Sequence, residues 1–219
     1  MFKPLYVFDM DETLINADAA MLWNAFLVEK GIATASNFIA EDKRLMGLYS
    51  EGKLNMEDYL TFAMQPLAEM PTEQVTALVE ECVEQHILPK QFKQSKPLIE
   101  QLERDDIDML IISASVTFLV EAVGRKIGIE NALGIDLIEN QGRFTSQISG
   151  VPSYREGKVT RLKEWLDNQE TNYSDIHFYT DSINDLPLCE HADFAYLVNP
   201  CPRLKALADQ PNWSILNWD

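Results

Sequence analysis

The sequence predicts an α/β protein, with a layer of parallel strands covered by helices on both faces. Three observations lead there. Short apolar runs alternate with longer amphipathic stretches, first at residues 5–8 and again from about residue 91 onward. Acids or hydroxyls directly follow three of those runs, at Asp9, Ser113 and Thr180-Asp181. Residues 18–90 break the alternation, with helical patterning and no convincing strand.

The core strands are expected at 5–8, 107–112, 176–179 and 194–198, and the helices between them near 97–104, 116–127, 158–168 and 203–208. Residues 142–148 alternate apolar and polar side chains, as an antiparallel hairpin arm beside the main sheet would. Within 18–90, Asn55 followed by Asp58 reads as a capped helix start, with Met56, Tyr59, Leu60 and Ala63 on one side. Thr72 is expected to cap a second helix carrying Val75, Leu78, Val79 and Cys82. A helical insert after the first strand would form a cap over the carboxyl edge of the sheet, where open α/β sheets bind ligands.

Composition narrows the function. The 219 residues carry 18 Lys plus Arg against 35 Asp plus Glu, a net charge of −17. That balance repels phosphate over most of the surface and disfavours nonspecific nucleic-acid binding, while leaving room for a local phosphate pocket containing a metal ion. The apolar stretch before Asp9 is too short for a signal-peptide core, and no window reaches membrane-spanning length. Cys82, Cys189 and Cys201 are scattered, with no C-x-x-C pairing. A reduced cytoplasmic protein without a membrane partner is expected.

Residues two apart on an extended segment point to one side, so Asp9 and Asp11 should project together while Met10 points away. Two such carboxylates ionise together only at a cost, unless a cation stands between them. A hard divalent ion such as Mg²⁺ suits them, since it takes carboxylate, water and phosphate oxygens. A calcium loop counted from Asp9 would need Gly and Glu where Leu14 and Ala20 stand, so that reading fails. Ser113 puts a hydroxyl at the end of a second strand, beside the small Ala114 and Ser115. Lys158 lies just before a helix with Val159, Leu162, Trp165 and Leu166 on its inner side. Asp181 and Asp185 follow a further strand, with Ile183 and Leu186 as anchors in the core.

In that order, Asp9-Met10-Asp11-Glu12-Thr13, Ser113, Lys158 and Asp181-Ser182-Ile183-Asn184-Asp185 resemble the four motifs of the haloacid-dehalogenase-like phosphatase superfamily, in its phosphoserine-phosphatase-like branch. The resemblance implies a Rossmann-like catalytic core from residues 1–16 and 91–219, and a helical cap at 17–90 that selects substrate. It implies that Asp9 attacks phosphorus to give an aspartyl-phosphate, while Asp11 protonates the leaving alkoxide and then activates water. By the same resemblance Ser113 and Lys158 bind the phosphoryl oxygens, and Thr13 supports the loop. Mg²⁺ would contact Asp9, the Asp11 carbonyl and Asp181, with Asp185 holding its water. The dehalogenases proper lack an acid at the position of Asp11, and no role is expected for Glu12.

Substrate choice is expected to lie in the cap. Phosphoserine phosphatases resemble this chain at Glu51-Gly52-Lys53-Leu54-Asn55 but follow it with an arginine for the substrate carboxylate; residues 56–64 here contain none. Asp18 stands near the position of their ammonium-binding Glu. A small amino-alcohol phosphate without a carboxylate therefore fits best, and residues 150–161, 180–188 and 199–204 resemble a bacterial branch that includes histidinol-phosphatases. Trp23 and Tyr59 are candidate contacts, though both suit the core of the cap. His86, His177 and His191 have no metal-ligand spacing and are expected to be structural. Phosphoserine hydrolysis, phosphate transfer to an acceptor alcohol and a non-catalytic acidic binding protein are the alternatives. The oligomeric state is not legible.

Overall fold

The computed structural model describes residues 3–219. Six parallel strands form the sheet: β1 (Lys3–Phe8), β2 (Asp108–Val116), β3 (Asn131–Ile135), β6 (Tyr173–Thr180), β7 (Phe194–Val198) and β8 (Trp213–Leu216), in the order β3-β2-β1-β6-β7-β8. β4 (Leu137–Asn140) and β5 (Arg143–Ile148) make the separate antiparallel pair expected near 142–148.

β1 is central because it is apolar on both sides. Val7 and Leu5 pack with Leu110, Phe178 and Leu197 on one face, and Phe8 packs with Ile111 and Tyr179 on the other. Buried parallel strands need such two-sided apolar runs. The strand order reverses beside β1, between β2 and β6, which opens a crevice at the carboxyl edge.

Between β1 and β2 the chain is helical, as the patterning predicts: α1 (Ala19–Glu29), α2 (Phe38–Ser50), α3 (Met56–Met64), α4 (Thr72–Cys82) and α5 (Ser95–Arg104). Asn55 caps α3, its side chain accepting from Asp58 N–H at 3.1 Å. Thr72 is not a cap; Pro71 holds that position, with no side-chain capping bond, and Thr72 begins the helix. His86 lies in a π-helical turn (Val83–Ile87) after α4 rather than ending that helix. Leu45, Leu54, Met56 and Leu60 from this helical region pack with Ile135 and Ile148, joining it to the strands.

The remaining helices are α6 (Thr117–Ile127), α7 (Glu156–Asp167), α8 (Leu186–His191) and α9 (Pro202–Lys205). Two boundaries differ from expectation in ways that matter for the site. β2 continues through Ser113 to Val116, because the serine hydroxyls find hydrogen-bond partners inside the protein. α7 begins at Glu156, so Lys158 sits within its first turn.

Candidate active site

Met10 is fully buried and Asp9 and Asp11 flank it on the other side, as the extended backbone requires. Asp9 N–H donates to the Tyr179 carbonyl at 2.9 Å, carrying the β1–β6 pairing one residue past the strand. The chain then turns through Glu12, whose φ of 54° lets Leu14 and Ile15 bond back to the Met10 carbonyl. Thr13 is buried by that turn, and its hydroxyl donates to Asp181 Oδ1 across a long 3.5 Å.

Lys158 reaches the same place from α7. Its Nζ donates to Asp9 Oδ1 at 2.7 Å and to Asp185 Oδ2 at 2.8 Å, with the lysine 1% exposed. Burial works against its charge, but Asp185 and Asp9 outweigh it and raise its pKa. Thr180 Oγ1 donates to Asp185 Oδ2 at 2.7 Å. The other Asp185 oxygen is buried without a hydrogen-bond partner, although the lysine nitrogen lies 2.8 Å away.

Asp11 turns from this cation toward β2. Its Oδ2 accepts from Ser113 Oγ at 3.2 Å and Ser115 Oγ at 3.1 Å, and its Oδ1 accepts from Ala19 N–H at 2.6 Å. Burial lifts both Asp9 and Asp11 to about 7; Lys158 pulls Asp9 down, whereas Asp18 pushes Asp11 further up. Asp181 is also raised, by burial and then by the charges of Asp9 and Asp185. The predicted acids, Ser113, Lys158 and Thr13 are thus gathered at one sheet edge.

Beside Asp11 lies a small pocket. Its polar wall is Asp11, Asp18 and Ser115, and Tyr49, Met56 and Tyr59 from the helical region form much of the rest. No Lys or Arg lines it among the described residues. Asp18 caps α1, accepting from Met21 N–H at 2.8 Å, and burial raises it to about 6. Trp23 does not line this pocket; it packs against Phe26 and Phe118, with ring centroids 5.8 and 6.3 Å away. His177 lies in β6, stacked on Tyr6 and Phe194, and His191 ends α8.

The family model described as haloacid dehalogenase-like hydrolase matches residues 6–190. The chain belongs to this family. A protein of Neisseria meningitidis serogroup C named histidinol-phosphatase is 33% identical over 220 residues, covering 99% of each chain. A Bordetella pertussis protein described as of unknown function superposes with a TM-score of 0.88 at 29% identity, over 99% of each chain. A phospho-aspartyl intermediate analogue of phosphoserine phosphatase gives 0.72 at 22% identity, over 100% of this chain and 96% of that one. It shares the fold.

This HAD-like hydrolase is an enzyme of the phosphatase type. Several of its site residues escape sequence reasoning. Ser115 reads only as a small neighbour of Ser113, yet it bonds to Asp11. Ser153 is fully buried, donating to the Ser113 carbonyl at 2.6 Å and tying the loop before α7 to β2. Tyr49 reaches the acids from α2; burial and the charges of Asp185, Asp9, Asp181 and Asp11 raise its hydroxyl's pKa. The period-two spacing of Ser113 and Ser115 on one strand was the available signal for the first. Nothing local marks Ser153 or Tyr49.

Proposed function

We propose that this HAD-like phosphatase is a Mg²⁺-dependent hydrolase of a small amino-alcohol phosphate, with L-histidinol phosphate favoured. The observation that carries the substrate class is the pocket beside Asp11, which presents the carboxylates of Asp11 and Asp18 and no basic side chain. A substrate carboxylate buried there would lack a counter-charge at a cost of several kcal/mol, whereas an ammonium would meet Asp18. The full-length relative named histidinol-phosphatase supports the same choice.

The donor set fits Mg²⁺. Asp9 and Asp185 share the buried Lys158, Asp11 bonds to serine hydroxyls instead, and Asp181 stands in the same cluster with its pKa raised by burial and by Asp9 and Asp185. Among the described residues no group of three or more His, Cys, Asp or Glu side chains is placed to hold a metal ion; what supports Mg²⁺ is the chemistry of the donors, carboxylate oxygens that a hard divalent ion takes together with water and phosphate. Asp9, Asp181 and the Asp11 carbonyl would hold it, with Asp185 on its water. When bound, the ion neutralises phosphoryl charge.

In this reading Asp9 attacks phosphorus while Lys158 and Ser113 hold the phosphoryl oxygens and Thr13 steadies the turn. Asp11, raised to about 7 by burial, carries a proton for the departing alkoxide and later takes one from water. The helical region at 17–90 acts as the cap that chooses the leaving group. Cys82, Cys189 and Cys201 are free thiols, which suits a cytoplasmic enzyme. The test is hydrolysis of L-histidinol phosphate, O-phosphoserine and neutral alkyl phosphates with Mg²⁺, using Asp9→Asn as control. Faster turnover of phosphoserine overturns the substrate assignment, and full activity of Asp9→Asn overturns the nucleophile.

A further inference from the structure

Two hydroxyls converge on one oxygen of Asp11: Ser115 Oγ at 3.1 Å and Ser113 Oγ at 3.2 Å. They come from the same strand, two residues apart, and β2 is distorted where they stand. Ile112 pairs with Leu133 and Val116 with Ile135, so four residues of advance along β2 match two along β3. Irregularities of this kind re-aim side chains next to active sites. Gly134 permits the close approach. A Cβ there would lie 2.7 Å from the Ser115 carbonyl oxygen and 2.6 Å from the Thr117 backbone.

Ser113 cannot keep its bond to Asp11 and also donate to a phosphoryl oxygen, because a hydroxyl has one proton to give. Once it turns to phosphate, the side-chain donor left on Asp11 Oδ2 is Ser115. Ser115 is 7% exposed and also lines the leaving-group pocket.

We propose that Ser115 is the positioning residue for acid–base catalysis, holding the Asp11 carboxyl toward the ester oxygen after Ser113 has turned to the phosphoryl group. The inference rests on the phosphatase reading and adds a residue to it. In the first step the bond between Asp9 oxygen and phosphorus forms, and the bond from phosphorus to the ester oxygen breaks. The electron pair of the broken bond stays on the ester oxygen, which takes the proton from Asp11. Ser115 keeps its own proton throughout and fixes where the Asp11 proton is delivered.

A role through proton delivery depends on the leaving group. An alkoxide needs the proton, while p-nitrophenolate leaves without it. Steady-state kcat/KM values report the step in which the leaving group departs and not hydrolysis of the shared intermediate. Measured with Mg²⁺ on L-histidinol phosphate and p-nitrophenyl phosphate, they should show Ser115→Ala lowering the alkyl-to-aryl ratio on the order of tenfold. Ser115→Thr, which keeps the hydroxyl, should restore the ratio. In an Asp11→Asn background, Ser115→Ala should move the ratio less than about twofold, since the two residues act as one unit. An equal fall on both esters, or an unchanged ratio in a wild-type background, overturns the proposal while leaving the phosphatase reading intact. Wild-type protein inactive on both esters sinks that reading, and this inference with it.

Discussion

Lys158 Nζ lies 2.7 Å from Asp9 Oδ1, and both groups are buried. This pair reverses the ordinary placement of charge on a helix, since a cation in the first turn of α7 opposes the dipole. The dipole effect is worth ~1 kcal/mol or less at most sites. A lysine facing two buried carboxylates gains more than that, so Asp9 just after β1 and Asp185 in the turn after β6 decide where Lys158 points.

Removing the cation should therefore leave uncompensated buried acids. Lys158→Met is expected to destabilise the protein by ~3–5 kcal/mol in urea unfolding and to lower kcat by on the order of 100-fold. Added Mg²⁺ should recover part of the stability and little of the rate. Near wild-type turnover would remove Lys158 from the reaction.

Burial lifts Asp9 and Asp11 to about 7 and Asp18 to about 6. The folded protein then binds more protons than the unfolded chain between about pH 4 and those values, so stability without metal falls as pH rises through the window. Bound Mg²⁺ favours the ionised carboxylates and offsets that loss. The rise in Tm on adding Mg²⁺ should be larger near pH 8 than near pH 5.5. A Mg²⁺ effect that shrinks with pH would contradict it.

Gly157 sets the approach of α7. A Cβ there would lie 2.0 Å from the Pro152 carbonyl oxygen. Gly157→Ala should cost ~1–3 kcal/mol and shift Lys158 enough to reduce activity. Gly47→Ala is the control: a Cβ meets nothing within 4 Å in the middle of α2, and the change should stabilise by up to ~1 kcal/mol. Thermal melts and kcat on both variants check the contrast.

Asp18 caps α1 and lines the pocket, and the two tasks separate in one substitution. Asn caps as well as Asp does and removes a buried charge, so Asp18→Asn should not lower Tm near neutral pH. Losing the charge should raise KM for histidinol phosphate on the order of tenfold, as expected for a hydrogen bond to an ion. KM for glycerol phosphate, which has no ammonium, should hardly move. Equal shifts on both would mean Asp18 does not meet the ammonium.

Much of this site is legible in the sequence because each motif residue follows an apolar run or opens a helix. Asp9, Ser113, Lys158 and Asp181 each have an ordinary reading taken singly, and their order along the chain is what picks them out. The edge strands β3 and β8 were not: Asn131–Ile135 contains Asn and Gly, Trp213–Leu216 is four residues long, and neither alternates. The end of β2 was also missed, since Ser113, Ala114 and Ser115 lack the apolar pattern that marked the rest of the strand. Trp23 and Tyr59 had equal claims as pocket residues until packing put Trp23 against Phe118 and left Tyr59 facing the cavity.

The sequence by itself determined the α/β class and the helical insert, because periodicity is a local property, and it offered Asp9, Asp11, Ser113, Lys158 and Asp181 as candidates through their order and placement along the chain. Only the tertiary structure decided which acid meets the lysine and which meets the serines. Asp9 and Asp11 are two residues apart on similar backbone, and nothing between them distinguishes their partners. The partners come from strands and helices more than 90 residues away in the chain, Lys158 from α7 and Ser113 and Ser115 from β2. Their approach is set by how the sheet packs.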